Sequence, residues 1–453
     1  MAKVVPFRGL RFNVGKIDRM EDVVSPPYDV VDAKAQAALL EKNPYNMIQL
    51  DLTKNAGEQA AADRYEKARD HFRSWQDQEV LVRDEKPAIY LYFIDYTLPN
   101  GSMFTRKGLV ALVELAEFEK GIVKPHEKTF RGVTDDRLRL TEACQAQFSQ
   151  VFSLYSDTQG KIVSALEETA SGEPICAVED QDGCLHRLWA VTDDEVLSRV
   201  GNEFQEKSLY IADGHHRYTT ALQMRDLMAK KHGSVAADSP YNFIMMYLCP
   251  MEDPGLSVLP THRLVRHPGQ ISIEKLVDKV AEHFYVKEIG LGTREMLVGE
   301  VLSVMADQAD QDTVLGMYEP ESDRCFLLTL KEGVMPQVVG PELPMSLQAL
   351  DVVVLSDLVV ERCLGLCYEK CGNETLITYY SDPDEALDEA VKLTISSQDM
   401  SPILFLMNGT PVAQVKKIAD ENLVMPHKST YFYPKVLTGL VLNILNTDDK
   451  VGG

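Results

Sequence analysis

The stretch Leu209-Tyr-Ile-Ala-Asp-Gly-His-His-Arg-Tyr-Thr-Thr-Ala-Leu222 carries the signals of a strand, a tight turn and a helix in succession. The apolar run 209–212 predicts a buried strand, and Asp213 is a residue type that caps helices. Gly214 allows a ligand to approach the backbone closely, and the apolar residues after it recur at helical spacing. The stretch therefore predicts a strand that turns directly into a helix.

A turn of this kind predicts an anion site. It directs several backbone amides and the positive end of a helix dipole toward one point. His215, His216 and Arg217 stand beside those amides, so the ligand expected at Gly214 is a phosphate group. The alternative is that Asp213 only caps the helix and the two histidines only fill its first turn.

The charge balance limits the partners. The chain has 453 residues, 45% of them hydrophobic, which is enough for two or three domains with their own cores. It carries 69 acidic and 46 basic residues, a formal charge of −23, whereas a protein that wraps duplex DNA normally has the opposite balance. We therefore expect no DNA partner. A single basic pocket for a phosphorylated small molecule remains compatible with this charge.

The distribution of apolar residues and cysteines indicates a cytoplasmic protein. Charged residues interrupt every apolar run before it reaches the length of a membrane span, and the first ten residues lack a secretory signal. None of the eight cysteines has Cys-x-x-Cys spacing, which predicts reduced thiols. We expect no membrane partner, and the sequence leaves the oligomeric state open.

The strand and helix signals along the rest of the chain predict a mixed α/β fold with four segments. These are an N-terminal α/β segment (1–106), a core with the opening stretch (107–232), an α/β subdomain (233–345) and a C-terminal α/β segment that closes the site (346–453). The predicted local elements include strands at 46–51 and 88–96, a hairpin about 180–183, a capping box at 192–195 and a final helix through 437–444.

A second polar loop, Lys124-Pro-His-Glu-Lys-Thr-Phe-Arg131, contains His126 and Glu127. A run of charges like this one usually forms a solvated surface. Its mixture of a histidine, a carboxylate and cations after a strand end stiffened by proline is also typical of functional loops. Both interpretations stay open for this loop.

Three further motifs offer substrate or lid residues. The rigid turn 25–30, the loop 259–264 and the donor-rich segment 425–435 each place polar side chains next to proline. The alternatives are a plain structural turn for the first and an aromatic edge strand with a solvated lysine for the last. The candidate residues in these motifs are Tyr28, Asp29, His262, Arg263, Lys428, Ser429 and Thr430.

Taken together, the motifs resemble the family known as domain of unknown function 1015. The resemblance spans nearly the whole chain, and the family name implies no activity. It rests on Ser25-Pro-Pro-Tyr-Asp-Val30, His126-Glu-Lys-Thr129 with Asp136-Arg137, Ala212-Asp-Gly-His-His-Arg-Tyr218, Pro260-Thr-His-Arg263 and Met425-Pro-His-Lys-Ser-Thr-Tyr-Phe-Tyr-Pro-Lys435.

The segment 107–232 is also similar to the ParB and sulfiredoxin fold, and most of all to its free-serine kinases. The resemblance implies a mixed-sheet core in which Lys124-Pro-His-Glu127 and Asp213-Gly-His-His-Arg217 form two halves of one site. Sulfiredoxins need a nucleophilic cysteine where this chain has histidine, which argues against sulfinic acid reduction. The helix-turn-helix module of the partition proteins has no counterpart here.

These features favour a small-molecule kinase that uses ATP or ADP with Mg²⁺ on a hydroxylated metabolite, with free serine the first substrate to test. Phosphoryl transfer needs donors on the phosphate oxygens and a base for the attacking hydroxyl. Gly214 to Arg217 supply the donors, Glu127 with His126 the base, and Asp213 a cap or a Mg²⁺ ligand. One alternative is a ParB-like protein that senses nucleotide without turnover. A second is a metal-dependent hydrolase.

Overall fold

The computed structural model describes residues 1–52, 63–99, 101–170, 172–309, 311–366, 376–396, 399–445 and 450–451. The chain divides into two compact units. The first consists of Met1–Ser257 together with Pro434–Gly453, and the second is Val258–Tyr433.

The strands and helices of the described residues have the following bounds. The strands are β1 Val4–Val5, β2 Leu10–Phe12, β3 Leu81–Arg83, β4 Ile89–Thr97, β5 Met103–Glu114, β6 Val123–Lys124, β7 Ala146–Gln147, β8 Val151–Tyr155, β9 Cys176–Glu179, β10 Leu185–Val191, β11 Leu209–Asp213, β12 Phe243–Pro250, β13 Ser257–Leu259, β14 His262–Pro268, β15 Phe284–Glu288, β16 Val314–Glu319, β17 Arg324–Leu330, β18 Ile377–Tyr380, β19 Met400–Leu406, β20 Tyr431–Tyr433 and β21 Asn443–Ile444. The α-helices are α1 Ala33–Lys42, α2 Ile48–Asp51, α3 Asp63–Asp77, α4 Arg131–Cys144, α5 Lys161–Glu167, α6 Asp194–Phe204, α7 His215–His232, α8 Ile273–Ala281, α9 Arg294–Gln308, α10 Val334–Val339, α11 Met345–Gln348, α12 Asp351–Val353, α13 Pro383–Ser396 and α14 Val412–Asp420, with a π-helical stretch at Val354–Cys363.

The first unit is built on a mixed sheet in the order β6-β11-β8-β12-β5-β4-β10-β9, with β1 beside β5. The pairs β11/β6 and β12/β8 are parallel, and the other neighbours in this order are antiparallel. One face packs on a core that includes Val113, Val151, Ile211 and Ile244. The mixed α/β class expected from the sequence is confirmed.

The opening stretch folds as a strand, a one-residue turn and a helix. The apolar run 209–212 is buried in β11, and α7 begins immediately after Gly214. Gly214 has φ of 95°, a left-handed conformation that glycine adopts without strain. It is also the helix N-cap. The prediction that Asp213 caps the helix is therefore wrong, since Asp213 ends the strand and makes no capping bond.

Two other local predictions fail because a side chain or a turn overrides the pattern. Residues 46–51 form a turn and helix α2 instead of a strand, since Oδ1 of Asn46 accepts a 3.0 Å hydrogen bond from the amide of Ile48. Helix α6 is capped by Asp193, whose carboxylate accepts from the amide of Val196 at 3.0 Å, so the capping box does not start at residue 192.

The predicted final helix through 437–444 is also wrong. The segment runs extended, and its amides bond to distant carbonyls instead of to its own preceding turn. The amide of Thr438 donates to Ser25 at 2.8 Å, and that of Leu442 donates to Leu10 at 2.9 Å. Gly439, with φ of +105°, lies between them in a conformation that breaks a helix.

The second unit has an antiparallel sheet in the order β15-β17-β16-β19-β14-β18. Its core includes Leu264, Val301, Tyr318 and Leu404.

Within the described ranges of the whole chain, no helix has both the length and the apolar character needed to cross a bilayer.

Candidate functional site

The first turn of α7 and the polar loop 124–131 lie against each other. The backbone amide of His126 donates to Nε2 of His215 at 3.2 Å, and the amide of Phe130 donates to Nε2 of His216 at 2.9 Å. Phe130 also stacks on the ring of His216, with the two planes 20° apart. The two consecutive histidines therefore hold the loop on the helix N-terminus.

These hydrogen bonds fix the protonation of both histidines. A ring nitrogen that accepts from an amide carries no proton, so each neutral imidazole has its proton on Nδ1. Burial, and next the neighbouring His126, lower the pKa of His215 to about 3. His215 therefore offers an N–H donor at Nδ1 and carries no positive charge, while its role in binding an anion stays a prediction.

Glu127 lies at this junction. Its Oε2 is 3.8 Å from Nδ1 of His215, and its side chain is 25% exposed. His126 is buried at a 4.7 Å ring separation from His215, and its own pKa is lowered by burial. The residues His126 and Glu127 are thus brought to the same place as Gly214 and His215, while only Glu127 is open to solvent.

Asp213 holds two cations beside the turn. Its Oδ2 is 3.0 Å from Nζ of Lys435, and its Oδ1 is 3.5 Å from Nη2 of Arg217. Burial opposes the charge of Asp213, but Lys435 and Arg217 outweigh it and hold the pKa of that carboxyl well below its usual range. Sequence reasoning did not select Lys435, although it is the last residue of the donor-rich motif.

Arg217 is fixed from several sides. Its Nη1 donates to the backbone carbonyl of Gln150, and its guanidinium lies over the turn, where a Cβ on Gly214 would come within 2.9 Å of Nε. The glycine therefore leaves the space that the arginine occupies. We call the first-turn amides of α7, Nδ1 of His215 and the Arg217 guanidinium the anion cradle.

The turn 25–30 supplies two residues to the same region. Tyr28 lies under the guanidinium of Arg137, with 4.2 Å between Cζ and the ring centroid. Asp29 is exposed as a residue, yet desolvation of its carboxyl, and next the charge of Asp213, raise the pKa of Asp29, while Arg217 lowers it. The two carboxyl groups are therefore close enough to influence each other's ionisation.

A groove opens between α4 and α7. Its volume is about 510 Å³. Its lining includes Thr129 of the loop 124–131 and Thr219 in α7, and it continues along both helices. The other lining residues are Arg131, Thr134, Asp135, Leu138, Gln223, Asp226, Leu227 and Lys230.

The remaining predicted site residues belong to the second unit. His262 is buried, its Nδ1 accepts from the amide of Met407 at 3.1 Å, and burial lowers its pKa to about 4. Arg263 is also buried, near the ring of Tyr379.

In the segment 428–430, Nζ of Lys428 lies 5.6 Å from the ring centroid of Tyr379. The hydroxyl of Ser429 donates to Pro426 at 2.5 Å, and the carbonyl of Ser429 accepts from Thr410 at 2.7 Å. Thr430 directly follows this turn. A lid role for Lys428, Ser429, Thr430, His262 and Arg263 stays a prediction.

A metal ion near the cradle would need ligands from neighbouring side chains. Within the described part of the chain, no three His, Cys, Asp or Glu side chains are grouped closely enough to hold a metal ion. Asp213 and Asp29 offer carboxylate oxygens, the ligand type that Mg²⁺ takes when substrate phosphates and water supply the rest. Oδ1 and Oδ2 of Asp213 already face Arg217 and Lys435, so a metal ion there would share this carboxylate with both cations.

The fold is mixed α/β, and the candidate site gathers hydrogen-bond donors at the N-terminus of α7. Residues 4–353 match the family described as "Protein of unknown function (DUF1015)", and the chain belongs to that family. No curated protein is significantly similar to it.

Several solved structures are similar to the chain. A free serine kinase in complex with AMP is 11% identical, covers 73% of this chain and 92% of its own, and has a TM-score of 0.33. SbnI with a C-terminal truncation from Staphylococcus aureus is 9% identical, with 75% and 90% coverage and a TM-score of 0.36. A conserved hypothetical protein from Pyrococcus furiosus is 12% identical, with 74% and 95% coverage and a TM-score of 0.32.

Proposed function

We propose that the protein is a small-molecule kinase that transfers a phosphoryl group from ATP or ADP to the hydroxyl of a small polar metabolite. The observation that carries this proposal is the contact between loop 124–131 and the N-terminus of α7. That contact brings Oε2 of the partly exposed Glu127 within 3.8 Å of Nδ1 of His215, which is part of the cradle. A base and an anion site therefore share one place.

The cradle supplies what phosphoryl transfer requires of the protein. The amides of the first helical turn lack partners within the helix, and they donate to phosphate oxygens together with Nδ1 of His215 and the Arg217 guanidinium. Because the histidines are held by the loop and Arg217 by Gln150 and Asp213, these donors are positioned before the ligand binds. Little reorganisation is needed on binding.

Glu127 accepts the proton of the attacking hydroxyl. Because Glu127 is partly exposed, the hydroxyl of the metabolite can reach Oε2. The neutral His215 beside it does not neutralise the carboxylate. Mg²⁺, when bound with the nucleotide, supplies charge stabilisation to the phosphates. The groove between α4 and α7 has the size of a nucleoside pocket, and Thr219 of the cradle helix lines it.

The test is turnover with matched glutamate variants. Full-length protein is incubated with Mg²⁺ and either ATP or ADP, with serine first and then other hydroxy amino acids and polyols, and products are detected by ³¹P NMR. We expect phosphorylated product, and a loss of about 10²- to 10⁴-fold in Glu127→Gln with nucleotide binding retained. Glu119→Gln, at an exposed site in the same unit, serves as the control.

Two outcomes would contradict the proposal, the first against the kinase reaction and the second against the assigned base. Nucleotide binding without any phosphorylated metabolite would favour the alternative of a nucleotide-sensing protein. Equal turnover by the wild type and Glu127→Gln would remove the proposed base. Free serine is the first acceptor tested because of the sequence resemblance, and a different hydroxylated product would leave the reaction class intact.

A further inference from the structure

A small cavity lies in the first unit beside Arg217 and is separate from the groove. Its volume is about 60 Å³. Helix α7 contributes different residues to each, because Thr220, Ala221 and Met224 line the cavity whereas Thr219 lines the groove. The cavity shares Arg217 with the anion cradle, whereas the proposed base Glu127 is not among its lining residues.

Three buried polar atoms of residues that line the cavity lack a hydrogen-bond partner within the described ranges. They are Oδ2 of Asp51 and Oγ1 of Thr220, in residues that are 4% and 3% exposed, and Nε of Arg217, whose side chain is 11% exposed. A buried polar atom without a partner costs free energy, so such groups are normally satisfied by protein, water or ligand. The carboxylate oxygen can only accept while ionised, the hydroxyl can both donate and accept, and the guanidinium nitrogen can only donate.

The charges around the wall are already compensated. Nη1 of Arg137 lies 3.1 Å from Oδ1 of Asp51, and its Nη2 lies 2.5 Å from Asp136. Nη2 of Arg217 lies 3.5 Å from Oδ1 of Asp213, which balances its charge. A ligand that brought an ammonium or a carboxylate into the cavity would add an uncompensated buried charge, which is strongly unfavourable. The occupant is therefore uncharged.

A hydroxyl group matches these wall atoms in its chemistry. It can donate to Oδ2 of Asp51 and accept from the hydroxyl of Thr220 or from Nε of Arg217. The rest of the cavity is apolar and suits a short aliphatic body, being lined by Leu140, Phe148, Met224, Ile244 and Leu445. Since one water needs about 10–15 Å³ by this measure, the cavity admits roughly four to six non-hydrogen atoms.

We propose that this cavity is a binding pocket for an uncharged alcohol group, held between Asp51 and Thr220, with its carbon atoms against Phe148 and Met224. Its use as the pocket for part of the phosphate acceptor rests on the proposed kinase function. Binding of the alcohol does not depend on that function.

The probe is 1-propanol, with 1-propylamine and propionate as charged analogues. Binding to the full-length protein is followed by ¹H–¹³C NMR of methyl-labelled methionine, where Met224 reports on the pocket. We expect saturable, millimolar binding of 1-propanol and none of either ion. Ala221→Leu fills the cavity and abolishes binding, while Thr220→Val removes one hydrogen bond and weakens it about fivefold.

Thr219→Val is the matched control, because the neighbouring threonine lines the groove. It leaves 1-propanol binding unchanged, while ADP binding, measured by calorimetry on the same samples, reports on the proposed nucleotide site. Unchanged propanol binding in Ala221→Leu, preferential binding of either ion, or only ordered water in a propanol-soaked crystal would overturn the pocket. Absence of ADP binding by the wild type, with propanol binding intact, would instead count against the kinase.

Discussion

Nζ of Lys435 lies 3.0 Å from Oδ2 of Asp213, although 222 positions separate the two residues along the chain. The pair joins the C-terminal segment of the first unit to the strand end from which the cradle starts. Asp213 also faces Arg217, so one carboxylate orients two cations. We infer that Lys435 is a positioning residue for the cradle.

Replacing Lys435 by methionine tests this role. The change keeps most of the aliphatic stem but leaves Asp213 with one cation, and we expect the free energy of unfolding to fall by about 1.5–3 kcal/mol. Urea denaturation at pH 7 measures it. Lys416→Met is the control, since its partner Asp420 is on the same exposed helix face. A loss in the control as large as that in Lys435→Met would argue against a special role for the pair.

The same pair predicts an acid dependence of stability. The folded pKa of Asp213 is below its unfolded value of about 3.9, so the unfolded chain binds a proton first as the pH falls. The contribution of the pair is complete above about pH 4 and is lost as the pH falls toward the folded pKa. Asp213→Asn should therefore show a shallower decline of unfolding free energy below pH 4 than the wild type. Parallel curves for the two proteins would contradict this.

The neutral state of His215 is directly measurable. With a pKa of about 3, set first by burial and then by His126, its ring stays neutral from pH 8 down to pH 5. Long-range ¹H–¹⁵N NMR should show the proton on Nδ1 and no titration in that range. The exposed His232, at the end of α7, is the internal reference. A midpoint for His215 near 6.5 would mean that the hydrogen bond from the His126 amide is not maintained.

Gly214→Ala should damage the cradle specifically. The alanine would have to keep the positive φ of Gly214, and its Cβ would lie 2.9 Å from Nε of Arg217. We therefore expect the free energy of unfolding to fall by about 1–3 kcal/mol. Phosphate or ADP affinity should fall at least tenfold, because the arginine must move.

Gly132→Ala is the control for that substitution. A Cβ there meets no atom within 4 Å, and the residue lies in α4, where alanine is the better helix former. We expect unchanged ligand affinity and stability equal to or slightly above that of the wild type. Equal effects of the two substitutions on ADP affinity, measured by calorimetry, would contradict the assignment of the cradle.

Sequence alone determined the strand, turn and helix of 209–222 and the family of the chain. Those features depend on neighbouring residues, since an apolar run, a glycine and helical spacing specify local structure wherever they occur. The same locality explains the errors. Nothing near 437–444 indicates that its amides bond to the carbonyls of Ser25 and Leu10. An alternation of apolar and polar residues likewise does not reveal the hydrogen bond that Oδ1 of Asn46 accepts from the amide of Ile48.

Only the tertiary structure decided how the parts of the site meet. The sequence predicted that the His126-Glu127 loop and the cradle belong together through a resemblance, but it could not show that Nε2 of His215 accepts from the loop and is therefore neutral. Nor could it select Lys435 or the contact of Asp51 with Arg137, 86 positions apart. Pairings at such separations depend on the packing of the whole sheet and leave no periodic signal in the chain.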